Sequence, residues 1–330
     1  MTDKVRIGFI GAGGIARAHI KRLMEIPEAE VVALAEPSEA AVQRMVEEYP
    51  HIASAAVFKD YRDMLAQVEM DAVEIHTPHT QHFEQGMDVL KAGKHLLMEK
   101  PLVCATPHAH TLIAQAKWSG VILMLSYQRH LQGPYIYIRE QIQKGAIGEV
   151  QYIAALQSQG WYRGTQGTWR QVKALSGGGQ INDSGSHLID ILLWTTGLTA
   201  EQVFAYQRNY QSEVDIDSAV SIRFTNGAQG TISIIGDSPM WWEEFTVWGS
   251  RGAILYRNGQ IMQRAYGETQ MTEVTDLPAS STPDHNFIDA ILGRDIVRVP
   301  PECGLRTIEL TEAAWKSAEL GRPVSVAELA

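Results

Sequence analysis

The sequence predicts an α/β protein in which a doubly wound parallel sheet is followed by a second domain with a mostly antiparallel sheet. Over residues 1–125, short apolar runs alternate with longer amphipathic stretches, which is the pattern of successive βαβ units. From about residue 149 the chain changes to closely spaced runs rich in alternating, β-branched and aromatic residues. These two patterns predict two domains, at 1–125 and 126–330.

Length, charge and cysteine content limit the classes of protein to consider. The 330 residues agree with two domains, and the net charge of −10 argues against a nucleic-acid partner. No apolar run reaches the roughly 18 residues of a membrane span. Cys104 and Cys303 stand alone, so neither a disulfide framework nor a cysteine metal site is expected. The opening MTDK leads directly into a strand-like run, so we expect no signal peptide and a cytoplasmic location.

Five strand-like runs define the first sheet, and helical patterns separate them. Parallel strands joined by right-handed crossovers bind ligands at their carboxyl ends. No flexible linker follows, so we expect a packed junction near residue 125, with the C-terminal helices free to pack back on the first domain. The runs are VRIGFI (5–10), EVVALAE (30–36), AVEIH (72–76), HLLM (95–98) and VILML (121–125).

The second half combines strands with a few helices. Asn226-Gly227 and Asn258-Gly259 are hairpin signals, because tight hairpin turns need the positive φ angles that Asn and Gly tolerate. Helical patterns occur at IYIREQIQKG, DHNFIDAILG and GLRTIELTEAAWKSAEL. We therefore expect a mostly antiparallel sheet with a small number of helices.

A glycine-rich segment joins the first strand to the first helix in the pattern G-x-G-x-x-A. The first glycine allows a tight turn, the second lets the backbone approach a pyrophosphate, and the small last residue lets helix and strand pack closely. The helix N-terminus then offers free N–H groups to the anion. The alternative is an ordinary strand–helix turn. The segment is Gly11-Ala12-Gly13-Gly14-Ile15-Ala16.

Glu36 ends the second strand run. A carboxylate at this place accepts hydrogen bonds from both hydroxyls of the adenosine ribose and repels a 2′-phosphate. Arg44 lies further along the next helix and is not expected to neutralise such a phosphate. The sequence therefore favours NAD over NADP as the cofactor. The alternative is that Glu36 is a solvated surface residue.

The stretch SGGGQINDSGSHLIDILLW (176–194) places two acids and a histidine in an apolar, helix-like segment. The spacing of Asp183, His187 and Asp190 puts all three side chains on one face of a helix. Ionisable groups on a partly buried face usually have a partner or a chemical role. The alternatives are a helix N-cap for Asp183 and a hydrogen-bonded core histidine for His187.

Three stretches together resemble the Gfo/Idh/MocA family of nicotinamide-dependent oxidoreductases. They are the glycine-rich fingerprint, HLLMEKPLVC (95–104) and the D-x-x-x-H-x-x-D pattern after the glycine run. TPHTQH (77–82), KGAIGEVQ (144–151) and the C-terminal helix and tail also resemble family segments. The resemblance implies a Rossmann domain followed by an α+β domain with a large, open, mainly antiparallel sheet. It also implies oxidation of a secondary alcohol of a sugar or polyol, or the reverse reduction.

The resemblance implies a catalytic set of Lys100, Asp183 and His187. Histidine titrates near neutral pH, so His187 is the expected base, and the Lys100 cation stabilises an alkoxide or polarises a carbonyl. Whether His187 or Lys100 accepts the proton stays open. Asp183 is expected to bind a substrate hydroxyl and to balance the charge of Lys100. Asp190 is expected either to set the tautomer of His187 or to form a structural ion pair.

The expected NAD contacts come from the fingerprint and from two later loops. Pro101 holds the backbone of Lys100 extended. Glu99 is expected either to contact a ribose or to anchor the turn. The expected cofactor-binding residues are Gly11, Gly13, Gly14, Ile15, Ala16, Glu36, Thr77, Pro78, His82, Glu99 and Lys100.

Aromatic and arginine residues before the glycine run suit a sugar, because flat rings pack on C–H faces and guanidinium groups bind oxygen atoms. The alternatives are sheet core and solvated charge. The family segment R-x-x-P is replaced by the longer RHLQGP (129–134), so the identity of the sugar does not transfer. The expected substrate-binding residues are Lys100, Arg129, Trp161, Arg163, Trp169, Arg170, Asp183 and His187.

His76, His79 and His82 raise the possibility of a metal site. Pro78 interrupts any helix through them, and neither a cysteine nor a carboxylate cluster lies beside them in the sequence, so we expect no metal. His79 stands where family members often have asparagine. His82 is expected to begin the next helix near the cofactor.

The alternatives to a dehydrogenase are an NAD-dependent enzyme that cleaves glycosidic bonds and a nicotinamide sensor. Some relatives use tightly held NAD to cleave a glycosidic bond without net NADH, and a nicotinamide sensor would lack the catalytic set.

The second half has many strands and few helices, so a bare sheet face predicts a homodimer or a homotetramer through this sheet. Trp241 and Trp242 are assigned to this interface or to a sheet face, and Ile234 is a test position if it faces the partner. The alternative is a monomer whose C-terminal helices cover the sheet.

Overall fold

The computed structural model describes residues 4–329, and the chain divides into two compact units. Met1–Asp3, on which part of the signal-peptide expectation rests, lie outside the described range. Among the described residues, unit 1 comprises 4–103, 108–128 and 281–302. Unit 2 comprises 104–107, 129–280 and 303–329.

Unit 1 is built on a six-stranded sheet with helices between the strands. The strands are β1 (Val5–Ile10), β2 (Ala29–Ala35), β3 (Ala56–Phe58), β4 (Ala72–Ile75), β5 (His95–Met98) and β6 (Leu123–Leu125). The helices are α1 (Gly14–Leu23), α2 (Glu39–Glu48), α3 (Tyr61–Gln67), α4 (His82–Lys91) and α5 (Thr106–Ser119). The strand order is β3-β2-β1-β4-β5-β6, and all neighbours are parallel, which confirms the predicted doubly wound sheet.

All five predicted runs of the first sheet form strands, and β3 was missed. It has three residues, lies at the sheet edge and is largely exposed, so it lacks the apolar run that marks the other strands. The strand order reverses direction between β1 and β4. In open parallel sheets a ligand binds at the carboxyl ends of the strands at such a reversal.

Unit 2 is built on a nine-stranded sheet. Its first helices are α6 (Gly133–Gln143), α7 (Trp161–Gly164), α8 (Lys173–Ser176) and α9 (Gly185–Thr196). Its first eight strands are β7 (Val150–Ser158), β8 (Ala200–Arg208), β9 (Asp217–Phe224), β10 (Gln229–Ile235), β11 (Trp242–Gly249), β12 (Gly252–Arg257), β13 (Gln260–Ala265) and β14 (Thr272–Val274).

One segment of the second half belongs to unit 1. It contains α10 (Pro283–Ile291), and the chain then continues with α11 (Pro301–Leu320) and β15 (Val324–Ser325). The division therefore differs from a single boundary at residue 125. One contact that joins this segment to unit 1 is made by the side chain of Asp284 in α10, which is buried against His19 of α1.

The large sheet has the order β14-β13-β12-β11-β7-β10-β9-β8-β15. Its neighbours are antiparallel except for β7 with β10, so the mainly antiparallel sheet is confirmed. Both predicted hairpin turns form. Asn258 and Gly259 have φ angles of 44° and 95°, and positive φ at both central residues is the type I′ geometry that suits the strand twist.

The two faces of this sheet differ. The inner face packs against α6, α9 and α11 and forms the core of unit 2. The outer face carries aromatic side chains, of which Tyr206 is 70% exposed and Trp248 is 48% exposed. Ile234 does not lie on this outer face, because it is buried on the inner side, where it packs near Gly185 of α9.

Within residues 4–329, none of the helices combines the length and the apolar character that a bilayer crossing requires.

Candidate active site

The glycine loop of unit 1 has the backbone geometry of the fingerprint. Gly11 has a φ of 95°, and a Cβ atom on it would lie 3.0 Å from the carbonyl oxygen of His76. Ala16 is fully buried, as the small last residue of the fingerprint requires. A Cβ atom on Gly13, by contrast, would meet no atom within 4 Å. The loop therefore leaves open space beside Gly13.

The N-terminus of α1 lies next to this space. Gly13 is the N-cap residue and offers no side-chain acceptor to the first N–H groups of the helix, and Gly14 and Ile15 are exposed. Free N–H groups and the positive end of the helix dipole attract an anion. The exposed backbone of Gly13 and Gly14 at this helix N-terminus fits the pyrophosphate of a dinucleotide.

Glu36 is fixed beside the glycine loop by two backbone N–H groups. Ala12 donates to Glu36 Oε2 and Ser38 donates to Glu36 Oε1, each at 2.9 Å. The side chain stays partly exposed. Each carboxylate oxygen has two acceptor positions, so the group keeps capacity to accept ribose hydroxyls.

The loops after β4 and β5 are tied together by His82, which begins α4 as expected. His82 is fully buried, with Nδ1 2.8 Å from the carbonyl oxygen of Pro101 and Nε2 3.1 Å from the carbonyl oxygen of Thr77. Burial lowers the pKa of His82. Thr77 and Pro78 are partly exposed on the same loop. His82 therefore supports these loops from inside unit 1.

Glu99 and Lys100 follow β5. The buried Glu99 accepts the backbone N–H of Lys100 on Oε2 at 3.2 Å, and its Oε1 lies 3.0 Å from His19 Nε2. Burial raises the pKa of Glu99, but His19 and Lys100 outweigh it and hold that pKa well below its ordinary range. Lys100 is partly exposed, and its peptide bond to Pro101 is cis. Glu99 thus anchors the turn that carries Lys100.

His19 is the centre of a buried ionic cluster that the sequence analysis missed. Its ring nitrogens lie 2.7 Å from Asp284, 3.0 Å from Glu99 and 3.3 Å from Glu74. Burial by itself lowers the pKa of His19, but these carboxylates raise it well above 6.5. Arg22 also binds Asp284, at 2.8 Å. The available signal was two ionisable residues, His19 and Arg22, three apart on α1.

The three histidines considered for a metal separate into two groups. His76 Nε2 lies 3.2 Å from Glu74, and its ring packs 4.4 Å from that of His19. His79 and His82 pack edge to face, with ring centroids 5.8 Å apart. Burial and the charge of His19 lower the pKa of His76. The expectation of no metal stays a prediction.

In unit 2, the turn before α9 carries Asp183. The helix begins at Gly185 with Ser184 as the N-cap residue, so Asp183 precedes it. Asp183 was expected inside the helix, and the structure places it in the turn before the helix. The reason is local: the N–H of Asp183 binds the carbonyl of Gly179 at 3.0 Å in a turn that ends where the regular helix starts.

Asp183 contacts two of the residues predicted to bind substrate. Trp161 Nε1 donates to Asp183 Oδ2 at 2.8 Å, and Arg170 Nε donates to the same oxygen at 3.0 Å. Trp161 and Asp183 are buried, whereas the Arg170 side chain is 37% exposed and lies over the ring of Trp169 at 4.5 Å. We call Asp183, Trp161, Trp169 and Arg170 the Asp183 cluster.

His187 lies in the first turn of α9 and is partly exposed, although its neighbours Ser186 and Leu188 are buried. His187 is therefore more exposed than its two neighbours in this turn of the helix. Asp190, on the same helix, is buried and pairs with His130, at 2.7 Å between Oδ2 and Nε2. Of the two roles expected for Asp190, the structure shows an internal pair, and its partner is His130 rather than His187.

Arg129 and Arg163 have carboxylate partners outside the Asp183 cluster. Arg129 is buried and lies 2.6 Å from Glu243. Arg163 is exposed and lies 2.7 Å from Asp237. The structure therefore brings Trp161 and Arg170 to Asp183, with Trp169 packed under Arg170, but pairs Arg129 and Arg163 elsewhere.

Two family models match the chain. The model of an oxidoreductase family with an NAD-binding Rossmann fold matches residues 5–127. The model of the GFO/IDH/MocA C-terminal domain matches residues 135–255. Together the two matches cover more than half of the 330 residues.

Characterised relatives include dehydrogenases of sugars and polyols. The D-glucoside 3-dehydrogenase of Escherichia coli (strain K12) is 24% identical and aligns over 98% of each chain. The myo-inositol 2-dehydrogenase of Thermotoga maritima is 26% identical over 77% of this chain and 75% of the relative. The solved complex of levoglucosan dehydrogenase with NADH and levoglucosan superimposes with a TM-score of 0.87 at 20% identity, over 98% of this chain and 100% of the other. At that identity the likeness shows a shared fold.

Proposed function

The chain belongs to the Gfo/Idh/MocA family of oxidoreductases, and from that premise we propose that it transfers a hydride between NAD and a secondary alcohol or ketone of a sugar, a polyol or a sugar derivative. The observation that carries the proposal is the Asp183 cluster. It joins a carboxylate to an indole, a second aromatic ring and a partly exposed guanidinium group. Such a set suits a ligand with hydroxyl groups and C–H faces.

Unit 1 supplies the residues that would hold NAD. The N-terminus of α1, with Gly13 and Gly14, suits the pyrophosphate, and exposed Ile15 borders it. Glu36 suits the ribose diol, because its fixed carboxylate keeps free acceptor capacity and repels a 2′-phosphate. When bound, NAD supplies the hydride acceptor for alcohol oxidation.

The two later loops of unit 1 would support the reacting end of the cofactor. Thr77 and Pro78 offer partly exposed surface after β4. His82 and Glu99 hold these loops from inside, and Glu99 fixes the backbone of Lys100. We therefore assign Thr77 and Pro78 to direct contact with the cofactor. We assign His82 and Glu99 to holding the two loops in place.

The chemistry needs groups that handle one proton. Oxidation of a secondary alcohol removes a proton from the hydroxyl oxygen while a hydride leaves the carbon. We assign proton acceptance to the imidazole of His187, because histidine is the side chain that most often serves as a general base and this residue is partly exposed on α9. The ammonium of Lys100 stabilises the developing alkoxide. Asp183 accepts a hydrogen bond from a substrate hydroxyl and orients the sugar.

A substrate panel tests this proposal. Polyols, aldoses and glycosides are offered with NAD or NADP while the absorbance of reduced nicotinamide is followed. We expect an NAD-dependent rise with at least one compound, lost in Asp183→Asn and kept in the control Asp237→Asn, whose partner is exposed Arg163. A glycoside cleaved without net NADH would replace the proposal with NAD-dependent glycoside cleavage. NAD binding without conversion in either direction would indicate a sensor.

We also propose that the chain forms at least a homodimer, and a homotetramer as a dimer of dimers, through the outer face of the large sheet. This face carries exposed aromatic side chains at two places, Tyr206 on β8 and Trp248 on β11, and an interface through the face would cover both. Trp241, 49% exposed, and the partly exposed Trp242 lie at the start of β11. A cytoplasmic location stays a proposal, which two unpaired cysteines support.

A further inference from the structure

Asp215 binds three consecutive backbone N–H groups of the glycine-rich turn before Asp183. It is buried in the connection between β8 and β9. Gly179 donates to its Oδ1 at 3.0 Å, Ile181 donates to its Oδ2 at 2.9 Å, and Gln180 donates to its main-chain carbonyl at 2.9 Å. One residue thus accepts three consecutive backbone N–H groups of the turn.

The glycine run is explained by the closeness of this contact. A Cβ atom on Gly179 would lie 1.9 Å from the carbonyl oxygen of Asp215. A Cβ atom on Gly178 would lie 2.1 Å from Cζ2 of Trp315, whose indole N–H donates to Asp215 Oδ1 at 2.8 Å. Neither position has room for a side chain. These two glycines therefore let the backbone lie against Asp215 and Trp315.

The same turn is hydrogen-bonded to Asp183 and to the start of α9. The N–H of Asp183 binds the carbonyl of Gly179 at 3.0 Å, and the N–H of Gly185 binds the carbonyl of Gln180 at 2.8 Å. A continuous series of hydrogen bonds therefore runs from Asp215 through Gly179 and Gln180 to Asp183 and to the first residue of α9.

The carboxylate is suited to this task in a way that an amide is not. An ionised acceptor forms stronger hydrogen bonds than a neutral one, and each oxygen of Asp215 faces only donors. Burial raises the pKa of Asp215, while the N–H groups of Ile181, Trp315 and Gly179 favour its ionised form. An asparagine would place an NH₂ group against one of these donors.

We propose that Asp215 is a positioning residue of the active site, whose carboxylate fixes the turn at 178–182 and thereby sets the place of the Asp183 carboxylate against Trp161 and Arg170. The inference rests on the proposed function, because it assumes that Asp183 contacts the substrate. Asp215 itself acts through the turn.

The variant Asp215→Asn tests the effect on catalysis. We expect kcat to fall about 10- to 100-fold, since a small misplacement of a substrate-orienting group has that scale. The Kd for NAD should stay unchanged, and the primary isotope effect with substrate deuterated at the reacting carbon should rise. The control Val203→Ala removes buried volume on β8 away from the turn and should lower the melting temperature with kcat near that of the wild type. Equal losses of kcat in both variants, or wild-type kcat in Asp215→Asn, would overturn the proposal.

A second measurement does not depend on activity. Trp161 donates its indole N–H to Asp183, so the indole resonance of Trp161 in a nitrogen–proton NMR spectrum reports the place of that carboxylate. Trp161→Phe identifies the resonance. We expect it to shift in Asp215→Asn and to stay in place in Val203→Ala. An unshifted resonance in Asp215→Asn would overturn the positioning role, even if the wild type converts no compound of the panel and the proposed function has failed.

Discussion

His19 and Asp284 share a buried hydrogen bond of 2.7 Å, although they lie 265 positions apart in the sequence. Glu74 and Glu99 also face the His19 ring, and Arg22 binds the far oxygen of Asp284. The imidazole thus lies among carboxylates that need a cation. This arrangement couples the first helix of unit 1 to the turn before Lys100 and makes stability depend on pH.

His19→Gln should lower the free energy of unfolding by about 3 kcal/mol near pH 6, because it leaves buried carboxylates without their cation. Folding raises the pKa of His19. Its contribution to the free energy of unfolding is therefore complete below pH 6.5 and is lost as the pH rises through the raised pKa. Folding lowers the pKa of Asp284 and of Glu99, so their contribution is present above their ordinary range and is lost as the pH falls through the lowered values.

The difference in the free energy of unfolding between wild type and His19→Gln should therefore be largest from about pH 5 to pH 6.5 and should shrink in alkaline solution. Urea unfolding at several pH values measures it. His285→Gln, which changes an exposed histidine on α10, is the control. A difference that stays constant into alkaline solution would show that His19 is not charged in the folded protein.

Lys100→Ala and His187→Ala should each lower turnover by about 100-fold or more, which is the usual scale for a proton-transfer group. Binding of NAD should survive both changes, as calorimetry can show. Lys117→Ala, an exposed lysine, controls for the loss of charge. Near-wild-type turnover in His187→Ala would move the base elsewhere, with Lys100 as the next choice.

Glu36→Ser combined with Pro37→Arg should shift cofactor preference from NAD toward NADP. The change removes the carboxylate that repels a 2′-phosphate and adds a cation beside it. Glu39→Ser, an exposed acid on the following helix, is the control and should leave the preference unchanged. The Kd of each dinucleotide is measured by calorimetry, and a wild type that already binds NADP more tightly than NAD would contradict the role of Glu36.

Trp161→Phe should lower kcat/KM about tenfold, which is the loss of one hydrogen bond to a charged acceptor. Trp169→Phe keeps the aromatic surface and removes no bond to Asp183, so its effect should be smaller. Steady-state kinetics with the substrate found by the panel measures both. Equal effects would mean that the indole N–H of Trp161 has no part in orienting Asp183.

Trp248→Asp and Tyr206→Asp should split the oligomer while NAD binding stays in place, because a buried charge is costly in an apolar interface. These replace Ile234 as test positions, since Ile234 is part of the inner core. Trp118→Asp is the control, because Trp118 is 82% exposed on α5 of unit 1. Light scattering measures the mass, and a wild-type mass near 36.6 kDa would contradict assembly.

Local patterns predicted the fold well. Apolar runs located five of the six parallel strands, and the Asn-Gly pairs located two hairpins. They missed β3, because an exposed edge strand of three residues carries no apolar run. Spacing alone also placed Asp183 inside a helix that in fact begins at Gly185. An argument from spacing assumes a regular helical backbone, and the turn that carries Asp183 is not part of the regular helix.

Long-range side-chain pairs could not be predicted from local spacing. Asp190 pairs with His130, 60 positions away, and Arg129 lies against Glu243 on a distant strand. These partners are set by how α9 and β11 pack. The aromatic and arginine residues before the glycine run were singled out from their composition, and only the fold shows that Trp161 and Arg170 meet on Asp183 while Arg163 pairs with Asp237.

The segment Ser281–Glu302 also limits how such chains can be recombined. A gene fragment that stops at residue 125 encodes the glycine loop and His19 but omits Asp284. A chimaera made by a single crossover between two divergent parents would pair His19 from one with the α10 segment of the other. Grafting the whole of unit 1 therefore takes three junctions, near residues 128, 280 and 302, so that α10 is carried along. Substitutions confined to Glu36 and its neighbours leave His19 and Asp284 from the same parent.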